Sequence, residues 1–177
     1  RIQEIMEKVT NKIEPLDPCL VNSRSKIPFS APIMNWCTYG GIPRNKVTEF
    51  HGAPGGGKTT TAVDVCKNAI ELFRSEYEKK VEELRLKVSG GKKEYAGMLE
   101  DLIDEGPKKV FYLDLEHAFD EAWSEKLGID TDTMEIMQPP DMPAEEILQT
   151  LQEIIETGEI GLVVLDSLPS LVTKAEL

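Results

Sequence analysis

At 177 residues, the chain is long enough for one compact domain with its own core and short for two. Its 40% hydrophobic and 29% charged residues fit a soluble globular protein, and no apolar run approaches the roughly 20 residues of a membrane span. A formal net charge of −12 argues against a surface that grips nucleic acid over its whole extent, while leaving room for a local basic strip or for DNA contacts beyond this chain. Arg1-Ile2-Gln3-Glu4 is followed by no uninterrupted apolar stretch of signal-peptide kind. Cys19, Cys37 and Cys66 are scattered, odd in number and without CxxC spacing, which reads as free thiols in a reducing, cytoplasmic setting.

Ile2, Ile5, Met6, Val9 and Ile13 step by threes and fours, so the spacing predicts a helix with one apolar face. Pro15 and Pro18 then break it. Residues 1–18 form a helix and linker whose stripe packs either on its own domain or on a neighbouring subunit. Residues 19–45 read as irregular, with Pro28, Pro32 and a Gly40-Gly41-Ile42-Pro43 turn. Lys46 to His51 reads as a short strand with Val47 and Phe50 apolar.

A long helix is expected from about Thr59, where Ala69, Phe73, Tyr77, Val81, Leu84 and Val88 carry a stripe over several turns. Ser89-Gly90-Gly91 ends it. A second amphipathic stretch carries Tyr95, Met98, Leu99, Leu102 and Ile103, and stops at Gly106-Pro107. Then follow a strand over Val110 to Leu115, a helix over 119–127, a strand over Met134 to Met137 and a helix over Ala144 to Glu156. Ile160 to Leu165 is a near-continuous apolar run, as in a buried parallel strand. This alternation predicts an α/β domain with a mainly parallel, twisted sheet flanked by helices and joined by right-handed crossovers.

Gly52 to Thr59 satisfies G-x-x-x-x-G-K-S/T in full. Glycines let the backbone curl so that successive N–H groups face phosphate oxygens, and the helix that follows adds its partial positive charge. Gly52, Pro54, Gly55, Gly56, Gly57, Lys58, Thr59 and Thr60 are therefore the expected phosphate cradle for ATP. Lys58 reaches the β- and γ-phosphates, and the Thr59 hydroxyl ligates Mg²⁺. Such a loop needs a carboxylate beside the metal. Leu162-Val163-Val164-Leu165 ends in Asp166 at the carboxyl end of a strand, where the crevice of a parallel sheet opens, and Asp166 is the metal-binding candidate. Val110 to Leu115 delivers Glu116 at its exit, on the same side as Asp114. From spacing alone Glu116 is either the base that activates water or an ordinary surface glutamate.

Together these residues resemble the bacterial RecA recombinase family. Tyr39-Gly40-Gly41-Ile42-Pro43 leading to Val47-Thr48-Glu49-Phe50-His51-Gly52 looks like the family's approach to its phosphate loop. Tyr112 to Asp120, with Asp114, Glu116, His117 and Ala118, is similar to its Asp-x-Glu-His-Ala segment and continues through Lys126-Leu127-Gly128-Ile129-Asp130. Gln138-Pro139, then Val164-Leu165-Asp166-Ser167 and Lys174-Ala175-Glu176, complete a likeness over about residues 26–177. Archaeal-type recombinases and replicative helicases fit less well.

The resemblance implies a RecA-like ATPase core over residues 19–177 that binds ATP and Mg²⁺ and hydrolyses ATP. It implies a homo-oligomeric helical filament on single-stranded DNA, homologous pairing and strand exchange, in the cytoplasm (a host's, for a phage protein). It makes Glu116 the water-activating glutamate, sets Asp120 and Trp123 against adenine, and places Ser167 near the γ-phosphate. A helix cap for Asp120 and a half-buried aromatic for Trp123 are the competing readings. His51 and His117 are taken as structural.

Two departures from the family pattern matter. Residues from about 75 to 107 form a longer, charged helical excursion, read either as a solvated insertion or as a partner surface. The family's DNA-binding loops, its γ-phosphate-sensing glutamine and the residues lent to a neighbour's site come later than Leu177, so the chain is expected to be a fragment and to touch DNA through segments beyond it. An ATP-binding regulatory or assembly module and a ring-forming DNA motor share the same core and are the rival functions.

Overall fold

The computed structural model describes residues 26–129, 131–140 and 142–176. The expected helix over Ile2 to Ile13, and Cys19, lie outside them. Among the described residues Cys37 and Cys66 are free thiols.

The centre is a parallel sheet of three strands, β3 (Lys109–Asp114), β4 (Met134–Met137) and β5 (Ile160–Asp166), in the order β4-β3-β5. Parallel strands need crossover connections. A short helix α4 (Glu121–Lys126) leads from β3 to β4, and α5 (Ala144–Glu156) carries the chain across β3 to β5. Tyr112 stands opposite Ile136 on one side and Val164 on the other, and Asp114 stands opposite Asp166.

Strand alternation divides the core into two layers. Val110 and Tyr112 face a cluster with Val63, Cys66, Ala69 and Phe73 of the long helix α2 (Lys58–Ser89). Phe111 and Leu113 face the opposite cluster, with Ile147, Leu151 and Ile154 of α5. The sheet is thus covered on both faces, and β3, its central strand, is buried from Val110 to Asp114. This is the α/β architecture expected from the alternation of strands and helices.

The stripe of α2 is apolar in two different ways. Its first turns bury Val63, Val65, Cys66, Ala69 and Phe73 in the cluster shared with the sheet and with Ile27, Phe29 and Ile42, and Ala62 is buried as well. Its outer half buries Val81 and packs against a 3-10 turn, Lys93–Tyr95, and helix α3 (Ala96–Glu105). The turn falls at Gly90-Gly91, where Gly91 has φ 89°.

The N-terminal part departs from expectation. Residues 26–45 are ordered into β1 (Lys26–Ile27), helix α1 (Pro32–Cys37) and β2 (Ile42–Pro43), with β1 and β2 antiparallel. Gly41 allows this pairing, because a Cβ there would lie 2.0 Å from the Ile27 carbonyl oxygen. The strand expected over Lys46 to His51 does not form. Its apolar residues, Val47 and Phe50, are three apart and so would face opposite sides of a strand. Val47 is fully exposed, while Phe50 packs beside Phe29. The segment approaches the glycine loop as irregular chain.

Candidate functional site at the carboxyl ends of the strands

The loop Gly52 to Gly57 turns back on itself through a bond from Gly56 N–H to the Ala53 carbonyl at 3.1 Å. Gly55 and Gly57 have φ of 73° and 82°, left-handed values that glycine adopts without strain. A Cβ on Gly56 would lie 2.9 Å from the Ala53 oxygen. Helix α2 starts directly at Lys58, with Gly57 as its N-cap and neither a capping side chain nor an acidic residue in its first turn. Its first N–H groups and its positive dipole end therefore face the loop.

Lys58 Nζ donates to the carbonyls of Gly52 and Ala53, at 3.2 and 3.1 Å. The ammonium lies over the mouth of the loop. Thr60 is exposed on the first turn and Pro54 occupies the turn itself.

Thr59 links this loop to the sheet: its Oγ1 donates to Asp166 Oδ2 at 2.8 Å. Strand parity explains the meeting. Leu162, Val164 and Asp166 share a side of β5, and Leu162 and Val164 pack on the cluster formed with α2. Asp166 therefore emerges on the side where α2 begins. The Tyr112 hydroxyl also donates to Asp166 Oδ2, at 2.8 Å. Burial, and next the bonded carboxylate, push the Tyr112 phenol above its ordinary value, so it stays a donor.

At the next strand end, Ser167 Oγ donates to Glu116 Oε1 at 2.5 Å. A bond from Leu115 N–H to the Asp166 carbonyl, 2.7 Å, keeps the two exits side by side. The peptide between Asp166 and Ser167 is cis. Glu116 is exposed and Asp166 is half-buried, so the pair opens to solvent.

Asp114 organises the loop that carries Glu116. It is 2% exposed. Its carboxylate accepts from the N–H groups of Glu116 and Phe119 at 3.2 and 2.9 Å, and from Gln138 Nε2 at 2.8 Å. Burial alone would raise its pKa. The bonds from Gln138 and from the N–H groups of Phe119, Ala118 and Glu116 outweigh burial and hold the carboxyl below its ordinary range. Sequence reading noticed that Asp114 shares a side with Glu116 and belongs to the Asp-x-Glu-His-Ala segment, and gave it no role of its own. The contact made by the Tyr112 hydroxyl was not foreseen, since an aromatic inside an apolar strand reads as core.

Asp120 and Trp123 form a separate unit. Asp120 Oδ1 accepts from Trp123 N–H at 2.9 Å, capping α4, and Trp123 is 47% exposed. An open cleft of about 530 Å³ adjoins Asp120, lined by that residue with Phe119, Glu121, Ala122, Ile136 and Gln138, and Trp123 is not part of its lining. Among the described residues no hydrogen bond ties Asp120 or Trp123 to the glycine loop. Loop, Thr59, Asp166, Tyr112, Glu116 and Ser167 are connected, and the α4 unit stands beside them.

The RecA N-terminal domain family matches residues 83–177, more than half of the chain. The chain belongs to the RecA family. Among curated proteins it is similar to Protein RecA of Bifidobacterium breve, at 32% identity over 138 residues, 78% of this chain and 26% of that protein. It is also 30% identical, over the same length, to Protein RecA of Mycobacterium ulcerans and of Streptomyces rimosus, covering 30% and 27% of them. The chain thus spans under a third of the length of these curated relatives. Within this RecA-family chain the matched domain begins inside α2. It takes in Asp114, Glu116, Asp120, Trp123, Asp166 and Ser167, while the glycine loop lies before it.

Proposed function

We propose that this chain is the nucleotide-binding core of a RecA-like recombinase, a DNA-dependent ATPase that binds ATP with Mg²⁺. The observation that carries this reading is the 2.8 Å bond from Thr59 to Asp166, which joins the glycine loop to the sheet's carboxyl edge across 107 positions of sequence. A hydroxyl and a carboxylate are hard oxygen donors suited to Mg²⁺, which completes its shell with phosphate and water. The uncapped start of α2 and the glycine geometry at Gly55 to Gly57 suit a polyphosphate in the same place.

The residues divide the work as follows. The N–H groups of the loop and first turn, up to Thr60, hold the phosphates, and Lys58 turns its ammonium from the loop carbonyls to the β- and γ-oxygens. Thr59 and Asp166 hold the metal, which when bound offsets negative charge on the phosphate oxygens. Glu116 accepts a proton from the attacking water as general base, with its carboxylate oriented by Ser167. Asp114 fixes the loop on which Glu116 sits. Asp120, whose Oδ1 is used in capping α4, offers its other oxygen to the adenine amino group, and the exposed Trp123 ring stacks on the base.

In the longer protein, ATP binding favours a cytoplasmic homo-oligomeric filament on single-stranded DNA that carries out pairing and strand exchange, and hydrolysis releases the DNA. Nucleotide affinity and turnover of the full-length protein test the site. Lys58→Ala is expected to lower ATP affinity by at least about tenfold, as the loss of a charged contact does. Glu116→Gln is expected to bind ATP normally and to lose about 10²-fold or more in turnover. Normal hydrolysis by Glu116→Gln would remove Glu116 as the base. Normal ATP binding by Lys58→Ala would remove the loop as the phosphate site.

A further inference from the structure

Asp166 Oδ2 receives two hydroxyl donors: Thr59 Oγ1 from the start of α2, and Tyr112 Oη from the sheet, each at 2.8 Å. The second donor has no packing reason to exist. Tyr112 is 1% exposed, with its ring in the apolar layer between β3 and α2 and tilted against Phe119 at a centroid distance of 4.9 Å. Phenylalanine would fill the same volume. A buried hydroxyl is costly unless it finds an acceptor, and here the acceptor is the carboxylate that also bonds Thr59 at the start of α2.

The register explains how. Tyr112 stands opposite Val164, one same-side step before Asp166, so its hydroxyl extends along the sheet towards the strand end. With the Asp166 backbone carbonyl bonded to Leu115 N–H, both ends of that residue are tied to β3 and its exit. Two donors on Oδ2 set the rotation of the carboxylate and hence the direction in which Oδ1 faces.

We propose that Tyr112 is a positioning residue for the metal-binding carboxylate, holding Asp166 in the orientation that receives the magnesium–nucleotide complex. This rests on the reading of Thr59 and Asp166 as the Mg²⁺ site. Tyr112 touches neither nucleotide nor metal and acts through Asp166, as outer partners of metal ligands do.

The test uses the full-length protein and a non-hydrolysable ATP analogue, with affinity measured by calorimetry over a Mg²⁺ titration and in EDTA. Tyr112→Phe is expected to raise the half-saturating Mg²⁺ concentration about tenfold, while leaving analogue affinity in EDTA and the unfolding temperature near those of the unaltered protein. In the double variant with Asp166→Asn, removing the Tyr112 hydroxyl is expected to add no further loss, because both changes act on one interaction. An unchanged Mg²⁺ requirement in Tyr112→Phe would overturn the proposal, as would full additivity in the double variant. If the unaltered protein binds the analogue equally well with and without Mg²⁺, the metal-site reading itself falls and takes this proposal with it.

Discussion

A carboxylate with 2% of its surface exposed is expensive to keep charged unless donors surround it, and Asp114 is surrounded. Three bonds from the loop backbone and Gln138 converge on it. Asparagine there would turn an amide N–H₂ towards groups that are themselves donors. Asp114→Asn is therefore expected to cost about 2–4 kcal/mol in urea unfolding, and to loosen the loop bearing Glu116. The pH dependence follows from the lowered folded pKa. Charged Asp114 stabilises the fold fully above the ordinary carboxylate range, and the contribution is lost as pH falls through the lowered folded value. The unaltered chain should lose stability steeply below about pH 4, and the asparagine variant less steeply. Equal acid slopes for the two would show that Asp114 carries no net charge-dependent stabilisation.

At the scale of elements, what was legible depended on how long each pattern ran. The helix over Ala144 to Glu156 has the bounds expected from the sequence, and so does the strand over Met134 to Met137, short as it is. The helix after the glycine loop was readable because its stripe repeats over many turns. The segment before the loop was not. Pro32 stood in a stretch that read as irregular but occupies the first turn of α1, where a missing N–H costs nothing, and β1 and β2, two residues each, are too short for any alternation to show. In the candidate site, loop chemistry and strand ends singled out Thr59 and Asp166, which the structure brings within 2.8 Å of each other. The Tyr112 and Gln138 contacts depend on strand register, which no local pattern displays.

The hairpin made by the outer half of α2 and by α3 makes its own prediction. Val81 is buried but belongs to neither of the sheet's two core clusters, so the hairpin's apolar contacts are largely internal. One described ion pair crosses to the body, Arg44 to Glu76 at 2.6 Å, with both side chains partly exposed. Such pairs contribute about 0–1 kcal/mol. Replacing Glu76 to Asp104 by a short glycine linker is expected to leave a folded protein with unchanged nucleotide affinity and assembly, losing only a few degrees of thermal stability. Loss of assembly at intact nucleotide affinity would instead make the hairpin a contact surface between subunits.

For the whole molecule the deciding quantity is charge. A chain of net charge −12 repels a polyanion at long range, so the proposed grip on single-stranded DNA is expected mainly from segments beyond this chain, which spans under a third of the length of the curated relatives it matches. The chain by itself and the full-length protein should therefore differ in a specific way. The isolated chain is expected to show no salt-sensitive binding to single-stranded DNA. The full-length protein with ATP is expected to bind it at low salt, to raise its ATP turnover several-fold on binding, and to form open helical filaments in electron micrographs. Raising salt from 50 to 200 mM should weaken that binding by orders of magnitude, about 10³-fold or more if six or more phosphates are contacted. Closed rings with DNA-stimulated turnover would point to a motor built on the same core. Tight ATP binding with turnover indifferent to DNA would leave the nucleotide site standing and make its output assembly or regulation, because a nucleotide pocket at the strand ends does not by itself fix what the bound ATP drives.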